Sequence, residues 1–370
     1  MTRAPRTVVV DDSRFMRGLI TDVLESGGIE VVAEAADGAE ALTVVAETEP
    51  DVVTMDVEMP GMDGIEAVER LMREHPTPTL MLSAYTEDGA EETFAALDAG
   101  AVDFFAKPGG EVSMGVSRME TQLVETVRSV AGADISGAGG TGTGAGTDAG
   151  TNAGGGAATA AAAGRGAGTA TAARTAGEVE PNTTVVVGSS TGGPDAVERV
   201  LAGLPGDADL RVLVVQHMPE AFTGRFAERL DAACDLDVCE AADGARVGRG
   251  EVLVARGGRH LEVSRYRNGR LRVSLVDEDR GQNVRPSVNV AMESAARTVD
   301  DPLVAVVLTG MGDDGAEGVE AVERAGGRVI AQDEETSVVY GMPKRAAATG
   351  RVDSVLPLED VAGGIVGGAP

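Results

Sequence analysis

Between residues 132 and 177 the chain reads GADISGAGGTGTGAGTDAGTNAGGGAATAAAAGRGAGTATAARTAG, with Ile135 its one large apolar residue. Such a segment cannot bury enough surface to offset its ordering entropy, so it is read as a flexible linker. That rules out a single compact unit spanning all 370 residues and sets two domains, 1–131 and 178–370, each of ordinary size. As a Gly-rich coil of about 46 residues, the linker would hold its ends roughly 35–40 Å apart.

Both flanking segments alternate short apolar runs with amphipathic stretches. In the first, TVVV, EVVAEA, DVVTMD, TLMLSA and DFFAKP read as strands, with helical stretches such as SRFMRGLITDVLES between them. In the second, TTVVVG, RVLVVQHM, LVAVVLTG and RVIAQ alternate with PDAVERVLAGL and AEGVEAVERA. This rhythm predicts parallel α/β sheets in both halves. HLEVSRYRNGRLRVSLV adds two alternating strands around Asn268-Gly269, a hairpin signal inserted in the second half.

Charge narrows the function classes. The chain carries 60 acids against 31 bases, a formal net charge of −29. No segment has the net basic face of a general nucleic-acid binder, and the acid excess suits a high-salt cytoplasm. One stretch, 246–285, holds ten Arg against five acids and reads as a solvated hairpin surface. Cys234 and Cys239 lack the further ligands a zinc site needs. No apolar run is long enough to span a bilayer, and the start has no signal-length apolar stretch, so a cytoplasmic location is expected.

In doubly wound sheets, functional groups collect at the carboxyl ends of the strands. In the first half those ends carry Asp11 and Asp12, then Asp56, then Ser83, with Lys107 just past the last run. Three converging carboxylates repel one another unless a cation sits among them, and Mg²⁺ suits an all-oxygen ligand set. Asp56 is then the nucleophile that forms an acyl phosphate, with Ser83 and Lys107 binding the phosphoryl oxygens. Lys107 is one of only two lysines, the other being Lys344, so its retention at a strand end marks a chemical need. Residues 6–130 resemble a response-regulator receiver domain, a flavodoxin-like doubly wound fold. The likeness rests on Asp11-Asp12, Asp56 in MDVEMPGMDG, Ser83, Phe104 and Lys107-Pro108. It implies that Phe104 moves with the switch and that the Lys-Pro bond is cis.

The strand ends of the second half carry Ser189-Ser190-Thr191-Gly192-Gly193, His217, and Gly310-Met311-Gly312-Asp313-Asp314. A Ser on a Gly-flanked strand-to-helix turn has an exposed hydroxyl near a helix N-terminus, although an N-cap or a phosphate-cradling loop has the same look. Nucleophile, base and orienting carboxylate, Asp313 or Asp314, would share one sheet edge. Of three histidines, His75 precedes a Pro in a loop and His260 lies in an Arg/Gly-rich turn, which leaves His217 as the base. The order Ser…His…Asp is not that of α/β-hydrolases, and no G-x-G-x-x-G supports a dinucleotide site.

VVVGSSTGGP, VVQHMP, VRPSVNV, LTGMGDDGAEG and YGMPKRA together closely resemble the chemotaxis response-regulator protein-glutamate methylesterases, the CheB family. The resemblance implies a C-terminal three-layer α/β/α domain with a mostly parallel sheet and a hairpin insert. It implies a triad of Ser190, His217 and Asp314, oxyanion support from Thr191 and the Met311 N–H, and no cofactor in the catalytic domain. The implied activity removes methyl groups from glutamate methyl esters, and deamidates glutamines, on chemotaxis receptors. The implied partners are the chemotaxis histidine kinase as phosphodonor and methyl-accepting receptors as substrate, with neither nucleic acid nor membrane insertion. The competing reading is a non-enzymatic response regulator whose output domain binds a partner.

Overall fold

The computed structural model describes residues 3–83, 87–107, 116–133, 180–278, 280–282 and 284–367. Most of the linker, and Pro108, lie outside the described residues. The first half runs β1 (Arg6–Val10), α1 (Arg14–Ser26), β2 (Glu30–Ala35), α2 (Gly38–Thr48), β3 (Val52–Asp56), α3 (Gly64–Glu74), β4 (Thr79–Ser83), α4 (Glu87–Asp98), β5 (Asp103–Ala106) and α5 (Val116–Val130). Its five strands pair in parallel in the order β2-β1-β3-β4-β5. Strands β3 and β4 are buried along their whole length, which is why they read as unbroken rather than alternating runs. Side-chain caps start the helices: Ser13, Asp37 and Asp63 accept from the N–H groups of Met16, Glu40 and Glu66.

The second half continues with β6 (Thr183–Ser189), α6 (Gly193–Ala202), β7 (Leu210–Gln216), α7 (Glu220–Ala233), β8 (Asp237–Glu240), β9 (Arg246–Val247), β10 (Glu251–Val254), β11 (His260–Arg267) and β12 (Arg270–Val276). It closes with α8 (Val288–Thr298), β13 (Leu303–Val307), α9 (Ala316–Arg324), β14 (Arg328–Gln332), α10 (Met342–Ala348), β15 (Ser354–Leu356) and α11 (Leu358–Ile365). Seven parallel strands pair in the order β15-β14-β13-β6-β7-β10-β8. Apolar clusters cover both faces. Val185, Val187 and Val212 pack with α6, α7 and α11, while Leu213, Ala305 and Val307 pack with α8 and the insert. Here β6 has β7 on one side and β13 on the other, so the direction of winding reverses at β6 and a crevice opens there.

Two features differ from the sequence reading. The hairpin turns at Asn268 and Gly269, both with positive φ, but β12 also pairs with β9, making a three-stranded antiparallel sheet. His260 is not in a turn: it opens β11 and is wholly buried. No helix among the described residues is long and apolar enough to cross a membrane.

The halves meet through α4, β5 and α7. Phe94 stacks on Phe226 with ring centroids 6.0 Å apart, and Phe104 stacks on Phe222 at 4.7 Å. The chain has six Phe and no Trp, so four of its largest apolar side chains stand at this junction. Arg229 completes it, bridging Asp98 of α4 at 2.7 Å while lying over the Phe94 ring. Truncating Phe94 to Ala deletes a buried ring and is expected to weaken the contact by about 3 kcal/mol. Small-angle scattering should then give a larger radius of gyration than for wild type, and an unchanged value would contradict the assignment.

Candidate active site and phosphoacceptor site

Register brings three strand ends together in the second half. Ser189 pairs with Gln216, and Gly188 with Val307, so β6, β7 and β13 finish at one edge. Ser190 follows β6 directly, and its N–H donates to Thr309 O at 3.0 Å. The chain then turns through Gly192 (φ 71°) into α6. A Cβ on Gly310 would lie 2.8 Å from the Ser190 Cβ, so the third strand end can close on the serine only as glycine.

His217 is the first residue after β7, and its N–H donates to Ser189 O at 3.0 Å. Its Nε2 lies 2.8 Å from Asp314 Oδ2, and Nδ1 has no hydrogen-bond partner among the described residues. Asp314 is buried, and it accepts three further bonds: from Ser287 Oγ at 2.8 Å, Val288 N at 2.7 Å and Asn289 N at 3.0 Å. Ser287 caps α8, so the carboxylate sits on the positive end of that helix. Burial by itself raises its pKa, but the His217 contact and the Asn289 and Val288 N–H groups outweigh that and hold it below the usual carboxylate value. Asp313 is exposed on the same turn and does not reach His217.

Ser287 and Asn289 carry no role in the sequence reading. Asn289 also accepts from Gly315 N and Gly318 N, both at 2.8 Å, which ties α8 to the start of α9 around Asp314. A Ser ahead of an apolar helical run signals a cap. Nothing local signals that the cap also serves a carboxylate 27 residues away.

The structure joins His217 to Asp314, but the Ser190 hydroxyl has no hydrogen bond to His217 among the described residues. Thr191 and Met311 are both touched by the first half. The Thr191 hydroxyl and the Gly192 N–H donate to the Asp103 carboxylate, and the Ser129 hydroxyl lies 3.0 Å from the Met311 sulfur. Asp103 is buried at this contact, and burial pushes its pKa up to about 7 against the opposing effect of those donors.

In the first half the carboxylates of Asp11, Asp12 and Asp56 lie within 4.8 Å of one another. Lys107 Nζ reaches Asp11 Oδ2 and Asp56 Oδ1, both at 2.7 Å. Burial raises the Asp56 pKa to about 6, with Lys107 pulling it down and the Asp11 charge pushing it up. One ammonium facing three carboxylates leaves negative charge uncompensated, and the donors are all hard oxygens. That set fits a divalent Mg²⁺. Ser83, at the end of β4, donates to Gly89 O of α4 at 3.1 Å. Phe104, on β5, points away from this cluster into the junction with α7.

Comparison with known proteins matches both halves. The family described as CheB methylesterase covers residues 185–365, and the response regulator receiver domain covers residues 7–114. The protein-glutamate methylesterase/protein-glutamine glutaminase of Haloarcula marismortui is 58% identical, over 99% of this chain and 98% of its own. Its counterpart in Natronomonas pharaonis is 56% identical, over 97% and 96%. The Pyrococcus abyssi protein of the same name is 37% identical, over 97% and 92%. The chain therefore belongs to the CheB methylesterase family and carries that family's receiver domain ahead of its hydrolase domain.

Proposed function

We propose that this protein is a phosphorylation-activated serine hydrolase that demethylates glutamate methyl esters, and deamidates glutamines, on chemotaxis receptors. The observation that carries the reading is the buried Asp314 carboxylate, fixed by three other donors and in contact with a histidine that follows the strand beside Ser190. A module that only bound a partner would have no use for such a relay.

In the reaction, His217 Nδ1 takes the Ser190 proton as Oγ attacks the ester carbonyl carbon. The resulting oxyanion is met by N–H groups at Thr191 and Met311. Collapse breaks the C–O bond, and His217 returns the proton to methanol, leaving an acyl-serine that water hydrolyses to glutamate by the same base. With a glutamine substrate the leaving group is ammonia. Asp314 remains ionised and steadies the imidazolium. Because the substrate glutamates lie on cytoplasmic receptor helices, the site of action is the cytoplasm.

Asp56 is the phosphoacceptor, charged by the chemotaxis histidine kinase, and Asp11, Asp12 and Asp56 would hold Mg²⁺. When bound, that ion neutralises charge between the carboxylates and the incoming phosphoryl group. Before phosphorylation, Asp103 occupies the Thr191 hydroxyl and Ser129 presses on Met311, so the receiver masks both oxyanion-support residues. Phosphoryl oxygens compete for Ser83 and Lys107. Ser83 then leaves Gly89, loosening α4 and its Phe94. Lys107 pulls on β5, which bears Asp103 and Phe104.

Replacing Ser190 with Ala is expected to abolish methanol release from methylated receptors, and substantial residual turnover would remove the triad. Asp314→Asn should lower kcat by about 10⁴-fold, because the imidazole loses its tautomer.

A pH effect follows from Asp103. Its docked pKa lies near 7, whereas a solvated Asp titrates at the reference value of 3.8. The docked state therefore binds the extra proton. Docking is strongest below about pH 4, weakens as pH rises toward 7, and is level above that. The ratio of unphosphorylated to phosphorylated activity should rise between about pH 4 and 7, and Asp103→Asn should flatten it. A wild-type ratio that stays constant over this range would refute the role of Asp103.

A further inference from the structure

Gln216 is the last residue of β7, is 2% exposed, and spends its whole amide on the two loops that carry Ser190 and His217. The Ser189 hydroxyl donates to its Oε1 at 2.5 Å. Its Nε2 donates to Ser190 O at 2.8 Å and to His217 O at 3.2 Å. Both of the latter partners are backbone carbonyls, which can only accept, so they fix which end of the amide is nitrogen. The fit is close: a Cβ on Gly193 would stand 2.0 Å from Gln216 Oε1, so α6 reaches this amide only because its first residue is glycine.

In a planar trans peptide the C=O and N–H point in opposite directions. Ser190 O is pinned inward by Gln216 Nε2, and by Gly193 N at 2.8 Å. The Thr191 N–H is thereby turned away from Gln216. That N–H donates to no protein acceptor among the described residues, so it is left for an oxygen that enters the cleft once Asp103 has withdrawn. If the Ser190–Thr191 peptide rotated, the carbonyl oxygen would face the developing oxyanion instead. The contact to His217 O fixes the base loop to the same amide, so nucleophile and base are set by one side chain.

From this geometry we infer that Gln216 is a positioning residue for the hydrolysis: it holds the Ser190–Thr191 peptide in the orientation that presents the Thr191 N–H, and couples that peptide to the His217 loop. The inference rests on the serine-hydrolase reading above.

The test uses the full chain with a small phosphodonor, a small methyl ester as substrate, and a serine-directed phosphonate run to completion to count competent sites. Gln216→Leu removes all three contacts at similar volume, and kcat per titrated site should fall about 100-fold with KM within about twofold. Gln216→Glu cannot donate to the two carbonyls and should lose at least as much. Ser189→Ala keeps both donors and should lose about tenfold or less. For Gln216→Leu the pH profile of kcat/KM should not move, because neither the amide nor its replacement has a proton to titrate. A purely structural role would lower the number of titratable sites while leaving turnover per site near wild type, and that result would overturn the inference. Failure of the phosphonate to label Ser190 in the wild-type chain would instead overturn the hydrolase reading.

Discussion

An ionised carboxylate with almost no solvent access survives only where donors replace its water, and the catalytic half is organised around one such group. Asp314 receives a histidine nitrogen, a serine hydroxyl and two backbone N–H groups at a helix start. Each donor comes with a demand on the fold. The helix must begin at Val288, Asn289 must clamp α9, and β7 must end where His217 can reach. Removing any one leaves a buried charge short of a partner, which costs more than the net worth of an ordinary hydrogen bond. The sheet order puts β6 between β7 and β13, and it is this placement that lets a single anion govern two loops.

The receiver half also touches this crevice. It reaches the cleft with an acid and a hydroxyl, and it is held there by rings further back. Division of labour follows from the chemistry of each contact. The Phe pairs contribute burial, which has no direction, and about 0.5–1.5 kcal/mol each beyond it from ring stacking. Asp103 supplies direction, because its partners are a particular hydroxyl and a particular N–H. A contact built this way is sensitive to a small shift of β5 and α4. The rings sit on those elements, and their stacking falls off steeply with distance.

Much of this was legible in the sequence because it is written in local patterns. Apolar runs ending in Asp, Ser, His or Gly gave the strands and the residues at their tips, and the Gly/Ala/Thr stretch gave the division into two. Asp11, Asp12, Asp56 and Lys107 do converge, and His217 does meet Asp314 rather than Asp313. What was not legible depends on packing between distant segments. Ser287 and Asn289 look like an ordinary helix start, and Gln216 looks like the polar end of a strand. Asp103 looks like an ordinary first residue of a strand until the start of α6 is brought against it. The misplacement of His260 has a related cause. The Gly pair ahead of it is a turn signal, yet the turn ends at Gly257 and Gly258 and His260 opens β11.

The aromatic junction joins two bodies of the same sign. Residues 1–131 hold 26 acids and 9 bases, and residues 181–370 hold 30 and 20. Stacked rings and the bridge from Arg229 to Asp98 act over a few ångströms, whereas repulsion between the halves acts over a Debye length, about 3 Å in molar salt and 30 Å at 0.01 M. Short-range attraction therefore governs the contact in brine, and long-range repulsion gains on it with dilution. The solvent's salinity therefore bears on how tightly the two halves hold together, and fresher water favours their separation.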